Sequence, residues 1–403
     1  MSKVARTRVA GSLALYTDGF REELARMGYS AGSAEHHVRL VAHLSRWMVP
    51  AGCELSGLTD ERVEQFLLDL RAGHRRAPTA RTLAPLLGWL RNRGVVPQAS
   101  PPKLTAVDAL LARYRVWLIR DRGLAARTVD RYDETARRFF AYRGPLAAAD
   151  SPAAGLRSEE VTRFLLHESS RGQAVGSVQG VVASLRALLR FLHVEGLTAG
   201  SLADAVPPVA GLRDSRLPPS LAAADVSALL ASCDREHPTG IRDYAVLVVL
   251  ARLGLRAGEV AALQVGDLDW RAGLLVIRGK GRRSDQLPMS TEVGEALAAY
   301  LQRTRPRTAD RTLFLTVRAP WRPLHPNTVS RIVLVACRRA GVSPVRAHRL
   351  RHALATEMLG RGVGLTEIAQ VLRHQDLATT AAYARVDRNC LRQVARRWPG
   401  AGW

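Results

Sequence analysis

Six residues in the last third of the chain could together carry out one kind of chemistry: Arg256, Lys280, His348, Arg351, His374 and Tyr383. They fall in GLRAGEVAAL (254–263), GKGRR (279–283), AHRLRHALATEML (347–359) and LRHQDLATTAAYARV (372–386). A tyrosine offers an oxygen nucleophile, the arginines and histidines offer positive charge for a phosphate, and a lysine offers a separate proton for a leaving group. That is the inventory phosphoryl transfer needs when no metal takes part. The difficulty is the phenol. With a pKa near 10, only about one part in a thousand is ionised at pH 7, a deficit of about 4 kcal/mol that surrounding cations must make good.

Taken singly, each residue has an ordinary reading. Arg256 opens a helix and can pair with Glu259 three residues later, as many surface arginines do. Lys280, between Gly279 and Gly281, reads as a solvated hairpin tip. His348 and Arg351 are three apart and share one side of a helix, with His352 a turn further on. The His348–His352 pair suggests a helical zinc site, but HRLRH has Arg349 where a metalloprotease motif has its glutamate, and a cation there opposes a dication. No metal or cofactor is therefore expected. His374 reads as a cap or core histidine, and Tyr383 as one tyrosine among eight.

The charge of the chain supports a polyanionic partner. Its 403 residues carry 59 Lys and Arg against 36 acids, a net +23, of which +13 lies in 218–403. Such an excess favours nucleic acid through release of counterions from the phosphate backbone. Only three of the 59 basic residues are lysine, and Lys280 is one of them. The four cysteines, Cys53, Cys233, Cys337 and Cys390, show neither disulfide nor zinc spacing. No apolar run is long enough to span a bilayer, so no membrane association and a cytoplasmic location are expected.

The elements that must position the set are mainly helical. GYSAGSAEHHVRLVAHLSRWM (28–48), LTDERVEQFLLDL (58–70) and RTLAPLLGWLRNRGVV (81–96) are followed by a similar series, GLAARTVDRYDETARRFFAYR (123–143), LRSEEVTRFLLHE (156–168) and SLRALLRFLHVEGL (184–197). The offsets, 95 for Gly28 to Gly123, 98 for Val63 to Val161 and 102 for Trp89 to Phe191, indicate one helical module in tandem. Thr59 and Ser158 stand where helix N-caps belong. Prolines in 97–103 and 198–220 mark breaks. Beyond them, helices are expected at about 222–233 and 240–253. A hairpin of 274–279 and 285–289 follows, then helices at about 291–303, 326–340, 347–360, 365–372, 376–383 and 387–397.

Residues 218–403 resemble the catalytic domain of the tyrosine recombinase (phage integrase) family. The resemblance rests on G-L-R-x-x-E at Gly254–Glu259, the lysine hairpin, H-x-L-R-H at His348–His352 and L-x-H…Y at Leu372–Tyr383, in that order. Residues 106–198 resemble the family's core-binding module, and 1–100 look like a second copy. The resemblance implies two N-terminal helical (SAM-like) modules, 1–100 and 106–198, a linker at 199–217 and a catalytic domain at 218–403, mainly α with a small antiparallel sheet.

It further implies roles. Arg256, positioned by Glu259, and Arg351 clamp the scissile phosphate, since a guanidinium fork engages two oxygens at once. Lys280 protonates the departing 5′ oxygen, His348 takes the nucleophile's proton and His352 buttresses the site. His374 donates to a phosphate oxygen and Tyr383 forms a 3′-phosphotyrosyl link. Arg127, Arg131, Arg137 and Arg138 in the helical module, with Arg282 and Arg283 in the hairpin, contact DNA phosphates.

The partner is double-stranded DNA, bound by a homotetramer through a Holliday junction, with a DNA-bending protein or a second recombinase as possible accessory. The segment 386–398 is amphipathic and could dock on a neighbouring subunit or pack on its own domain. Arg349 departs from the acid or amide common at that position in the family. Two other readings remain open: strand relaxation of the type IB topoisomerase kind, and a DNA-binding protein without catalysis.

Overall fold

The computed structural model describes residues 6–73, 79–99, 104–144, 151–171, 175–208, 221–278 and 284–373. Lys280, Arg282, Arg283, His374 and Tyr383 lie outside the described residues, as do the helices expected at 376–383 and 387–397 and the segment 386–398. The chain divides into two compact units, one of residues 99–215 and one combining 1–98 with 216–403.

Residues 6–99 form four α-helices, α1 (Thr17–Arg26), α2 (Ala31–Met48), α3 (Asp60–Gly73) and α4 (Ala80–Asn92). Apolar residues at helical spacing meet in a core of their own that includes Leu24, Val38, Leu44, Phe66, Leu87 and Leu90. Ser30 caps α2 by accepting from the Ser33 N–H at 3.3 Å. The backbone N–H of Trp321 donates to the Met27 carbonyl at 3.4 Å. The Trp321 ring lies so close to Gly28 that any Cβ there would overlap it, and φ of +89° at Gly28 also requires glycine.

The 99–215 unit repeats the scheme with α5 (Ala106–Arg120), α6 (Ala126–Arg143), α7 (Ser158–Ser170) and α8 (Val175–Val194). Its separate core includes Leu111, Tyr114, Phe139, Phe164, Leu188 and Phe191. Both α2 and α6 run 18 residues. A reciprocal cap starts α5: Thr105 Oγ1 accepts from the Asp108 N–H at 3.1 Å, and the Asp108 carboxylate accepts from the Thr105 N–H at 3.2 Å. Ser158 is not the N-cap of α7 but its first residue. Arg157 caps it, because the Glu160 carboxylate reaches back to the Arg157 N–H at 3.3 Å.

From residue 221 the chain surrounds α10 (Pro238–Arg252) with α9 (Ala223–Ala231), α11 (Ala257–Ala262), α12 (Thr291–Arg303), α13 (Pro326–Ala340) and α14 (His348–Gly360). A helix apolar on every side has to be covered on every side, and Ala245 through Leu250 are completely buried. A small antiparallel sheet, β1 (Leu268–Asp269), β2 (Leu274–Arg278) and β3 (Ser284–Pro288), runs in that order, and the pair Arg278 and Ser284 closes the hairpin around 279–283. Leu275 and Ile277 alternate inward to the core while Arg278 pairs with the buried Asp267 at 2.6 Å. Last among the described residues comes α15 (Leu365–Leu372), which packs on α14 through Ile368 and Leu372. The architecture is therefore mostly helical with one small antiparallel sheet. No helix among the described residues is long and apolar enough to cross a membrane.

Candidate active site

The turn between α10 and α11 sets the site's geometry. Gly254 takes φ of +59°, and a Cβ there would meet Leu372 Cδ2 at 2.8 Å and Leu354 Cδ2 at 3.0 Å. Left-handed backbone and close packing both disfavour a side chain. Two residues on, Arg256 is the N-cap of α11. Its backbone N–H donates to Glu259 Oε2 at 2.9 Å and its Nη1 to Glu259 Oε1 at 2.8 Å, so one carboxylate fixes both the start of the helix and the guanidinium. The Arg256 side chain stays 47% exposed and can meet a ligand from solvent.

Arg351 behaves differently from Arg256. Its side chain is fully buried, with Nη1 donating to the Gly254 carbonyl at 2.7 Å and Nη2 to the Leu372 carbonyl. It therefore ties the α10–α11 turn to the end of α15, and its guanidinium faces protein carbonyls. Each such charge-assisted bond contributes about 1.5–3 kcal/mol. Residues 97 and 21 positions away in sequence are held by this one side chain.

His348, at the first position of α14, keeps an exposed face and meets His352 edge to face, with ring centroids 4.3 Å apart. Partial desolvation of the ring, then the charges of Arg351, Arg256 and Arg349, hold its pKa below the ordinary imidazole value. His348 is thus neutral at pH 7 and fit to accept a proton. The Arg351 bond to the Gly254 carbonyl sets α14, which begins with His348, against the turn that carries Arg256.

Glu259 has a further partner that the sequence did not reveal. Arg373 Nη2 reaches Glu259 Oε2 at 2.8 Å, across 114 residues of sequence. Burial works against the Glu259 charge, yet the Arg256 backbone N–H and the Arg373 and Arg256 guanidiniums hold its carboxyl below the usual range. Only folding brings Arg373 to Glu259, and no sequence spacing marks the pair.

Four of the six arginines expected at DNA lie along α6. Arg127 and Arg131 are exposed, Arg131 with its guanidinium 5.4 Å from the centre of the Tyr132 ring. Arg137 is paired with Asp108 at 2.8 Å and Asp133 at 3.0 Å, and Arg138 with the buried Glu168. Those acids absorb much of the charge that Arg137 and Arg138 could offer a phosphate.

Known proteins resemble the chain in sequence and in fold. Residues 219–389 match the phage integrase family. A putative integrase/recombinase of Sinorhizobium fredii, y4rA, is 37% identical over 97% of this chain and 95% of its own length. The tyrosine recombinase XerD of Mycobacterium tuberculosis is 32% identical over 70% of this chain and 93% of its own. In fold, a lambda integrase tetramer solved bound to a Holliday junction aligns with a TM-score of 0.52 at 18% identity, over 82% of this chain and 90% of that one.

Proposed function

The chain belongs to the phage integrase family and is a tyrosine-type site-specific recombinase, and from that membership we propose that it cuts and rejoins double-stranded DNA through Tyr383 without metal, cofactor or ATP. The Tyr383 oxygen attacks the scissile phosphorus, the bond to the 5′ oxygen breaks, and a 3′-phosphotyrosyl link forms. His348 receives the phenolic proton and Lys280 supplies one to the departing 5′ oxygen. A 5′-hydroxyl from the partner strand then reverses the step, so that bond energy is conserved. Two such rounds pass through a Holliday junction within a tetramer, each protomer bringing one tyrosine.

In this reading Arg256 engages the non-bridging oxygens, with Glu259 setting its direction. Arg351 adds positive potential behind it. Direct contact between Arg351 and phosphate requires the Leu372 end of α15 to move aside. His374 donates to a phosphate oxygen as charge develops there, and His352 supports the His348 ring. Residues 218–403 carry the chemistry. Residues 106–198, joined to them by 199–217, and 1–100 hold the duplex, with Arg127 and Arg131 the more available phosphate contacts and Arg282 and Arg283 acting from the hairpin. The chain acts in the cytoplasm, where its DNA is.

What most supports the proposal is the bond from Arg351 Nη1 to the Gly254 carbonyl at 2.7 Å, which sets α14, the helix that begins with His348, against the turn that carries Arg256. A nicked duplex that loses its short 5′-hydroxyl fragment on cleavage tests it, made from DNA selected by binding to the protein. Wild type should become covalently trapped, whereas Tyr383→Phe should bind equally well and leave no adduct. Covalent complexes persisting in Tyr383→Phe refute the assignment of the nucleophile. An untrapped wild type that still binds the duplex favours a binding protein instead.

A further inference from the structure

Among the described residues Arg373 alone, apart from glycines, has a positive φ, with φ of +54° and ψ of +48°. A side chain in the left-handed region is disfavoured and persists where surrounding contacts hold it. Here those contacts are polar and shielded. The Arg373 side chain is only 7% exposed, Nη2 donates to Glu259 Oε2 at 2.8 Å, Nη1 donates to the Val371 carbonyl at 3.1 Å, and Nε lies 4.0 Å from Asp285 Oδ2 on β3. Glu259 in turn holds both the backbone N–H and the guanidinium of Arg256. Three elements, the end of α15, the start of α11 and the strand that leaves the 279–283 hairpin, thus meet at one buried cation.

Resting on the recombinase reading above, we infer that Arg373 is a positioning residue for DNA cleavage: by holding the second oxygen of Glu259 it fixes how Arg256 is presented to the phosphate. A carboxylate with one guanidinium partner can rotate to follow that partner. Arg373 joins the Arg256 backbone N–H on Oε2, and the carboxylate held there by both becomes a fixed post for the Arg256 guanidinium on Oε1. Arg373 touches no substrate in this account and acts only through Glu259. An arginine suits the place because its planar fork serves the carboxylate and the Val371 carbonyl together, which a lysine cannot do with the same geometry.

The full-length protein tests this as wild type, Arg373→Gly, Arg373→Lys, Glu259→Gln and the double variant Arg373→Gly with Glu259→Gln. Three quantities are measured on the nicked duplex: the single-turnover rate of covalent complex formation, the DNA Kd and the melting temperature. Glycine accepts the +54° backbone without strain, which offsets part of the lost Glu259 ion pair, so Arg373→Gly should remain folded at an assay temperature well below its melting transition. It should nevertheless form the covalent complex about tenfold more slowly or worse, with Kd within about twofold. Arg373→Lys should recover part of the rate. Glu259→Gln should be slow too, and adding Arg373→Gly to it should cost little more, because the two act through one path. An unchanged rate in Arg373→Gly overturns the inference, as do losses that simply add in the double variant, or a loss that appears only as the melting transition is approached. A wild type that forms no covalent complex overturns the recombinase reading and this inference with it.

Discussion

Substituting Gly254 by alanine separates backbone strain from packing and tests whether the turn at 254–256 governs the chemistry. Gly254 and Gly341 share a left-handed conformation, at φ of +59° and +67°, but a Cβ at Gly341, the residue that ends α13, meets nothing within 4 Å. Gly341→Ala should therefore show the conformational term alone, about 1–2 kcal/mol. That corresponds to a fall of roughly 2–8 °C in melting temperature for a domain of this size. Gly254→Ala carries the same term and brings Cβ to 2.8 Å and 3.0 Å from the ends of Leu372 and Leu354. Crowding of a packed core adds about 1–3 kcal/mol, toward the lower end because leucine termini can shift.

The second consequence is kinetic. The Gly254 carbonyl accepts from Arg351, and Arg256 follows two residues later, so a displaced turn moves both cations. A misplacement near 1 Å lowers a rate about a hundredfold. The assay pairs thermal melting with single-turnover trapping on the nicked duplex, well below either melting transition. Equal loss of stability at the two glycines refutes the packing argument. A cleavage rate in Gly254→Ala equal to that in Gly341→Ala refutes the claim that the turn sets the site.

Two further outcomes are expected of the titrating groups. The His348 pKa is held down, so its neutral form predominates at pH 7 and gives way only as pH falls below the ordinary imidazole value of about 6.5. Cleavage should persist below that pH, and Arg349→Glu, which replaces one of the opposing charges, should move the acid limb of the pH–rate profile upward; a limb that stays or moves down counts against His348 as proton acceptor. Lys280→Ala should slow cleavage of ordinary DNA by about 10²-fold or more. A substrate with sulfur at the 5′ bridging position should restore much of that rate, since a thiolate leaves without needing a proton, and absence of this rescue counts against Lys280 as the acid.

Much of the architecture was legible from periodicity. The sequence placed α12, α13 and α15 at their observed bounds and located the hairpin, because strong apolar spacing there ends at clear breakers. Three features were hidden for different reasons. The first helices of the two N-terminal modules, α1 and α5, precede the segments whose mutual similarity guided the reading. The start of α8 at Val175 lies ahead of the expected stretch because VGSVQG holds two glycines, poor helix formers, and burial of Val181 and Val182 offsets that. Ser158 lost the cap to Arg157 because the carboxylate three residues on, rather than a hydroxyl, satisfies the free N–H.

For the site, local spacing gave the Arg256–Glu259 pair and set His348 and Arg351 on one side of a helix. It could not show that one is exposed and the other sealed, because the groups that seal Arg351 come from Gly254 and Leu372, distant in sequence. The Arg373 contact to Glu259 is hidden for the same reason.

Residues 9–96, 110–206 and 221–353 each gather their own buried cluster. No one of these clusters borrows its interior from another, so a change inside one need not be matched inside the next, whereas Gly28 and Trp321, which touch, must vary together. Mutations can therefore accumulate in the interior of one segment while the interiors of the other two stay as they are.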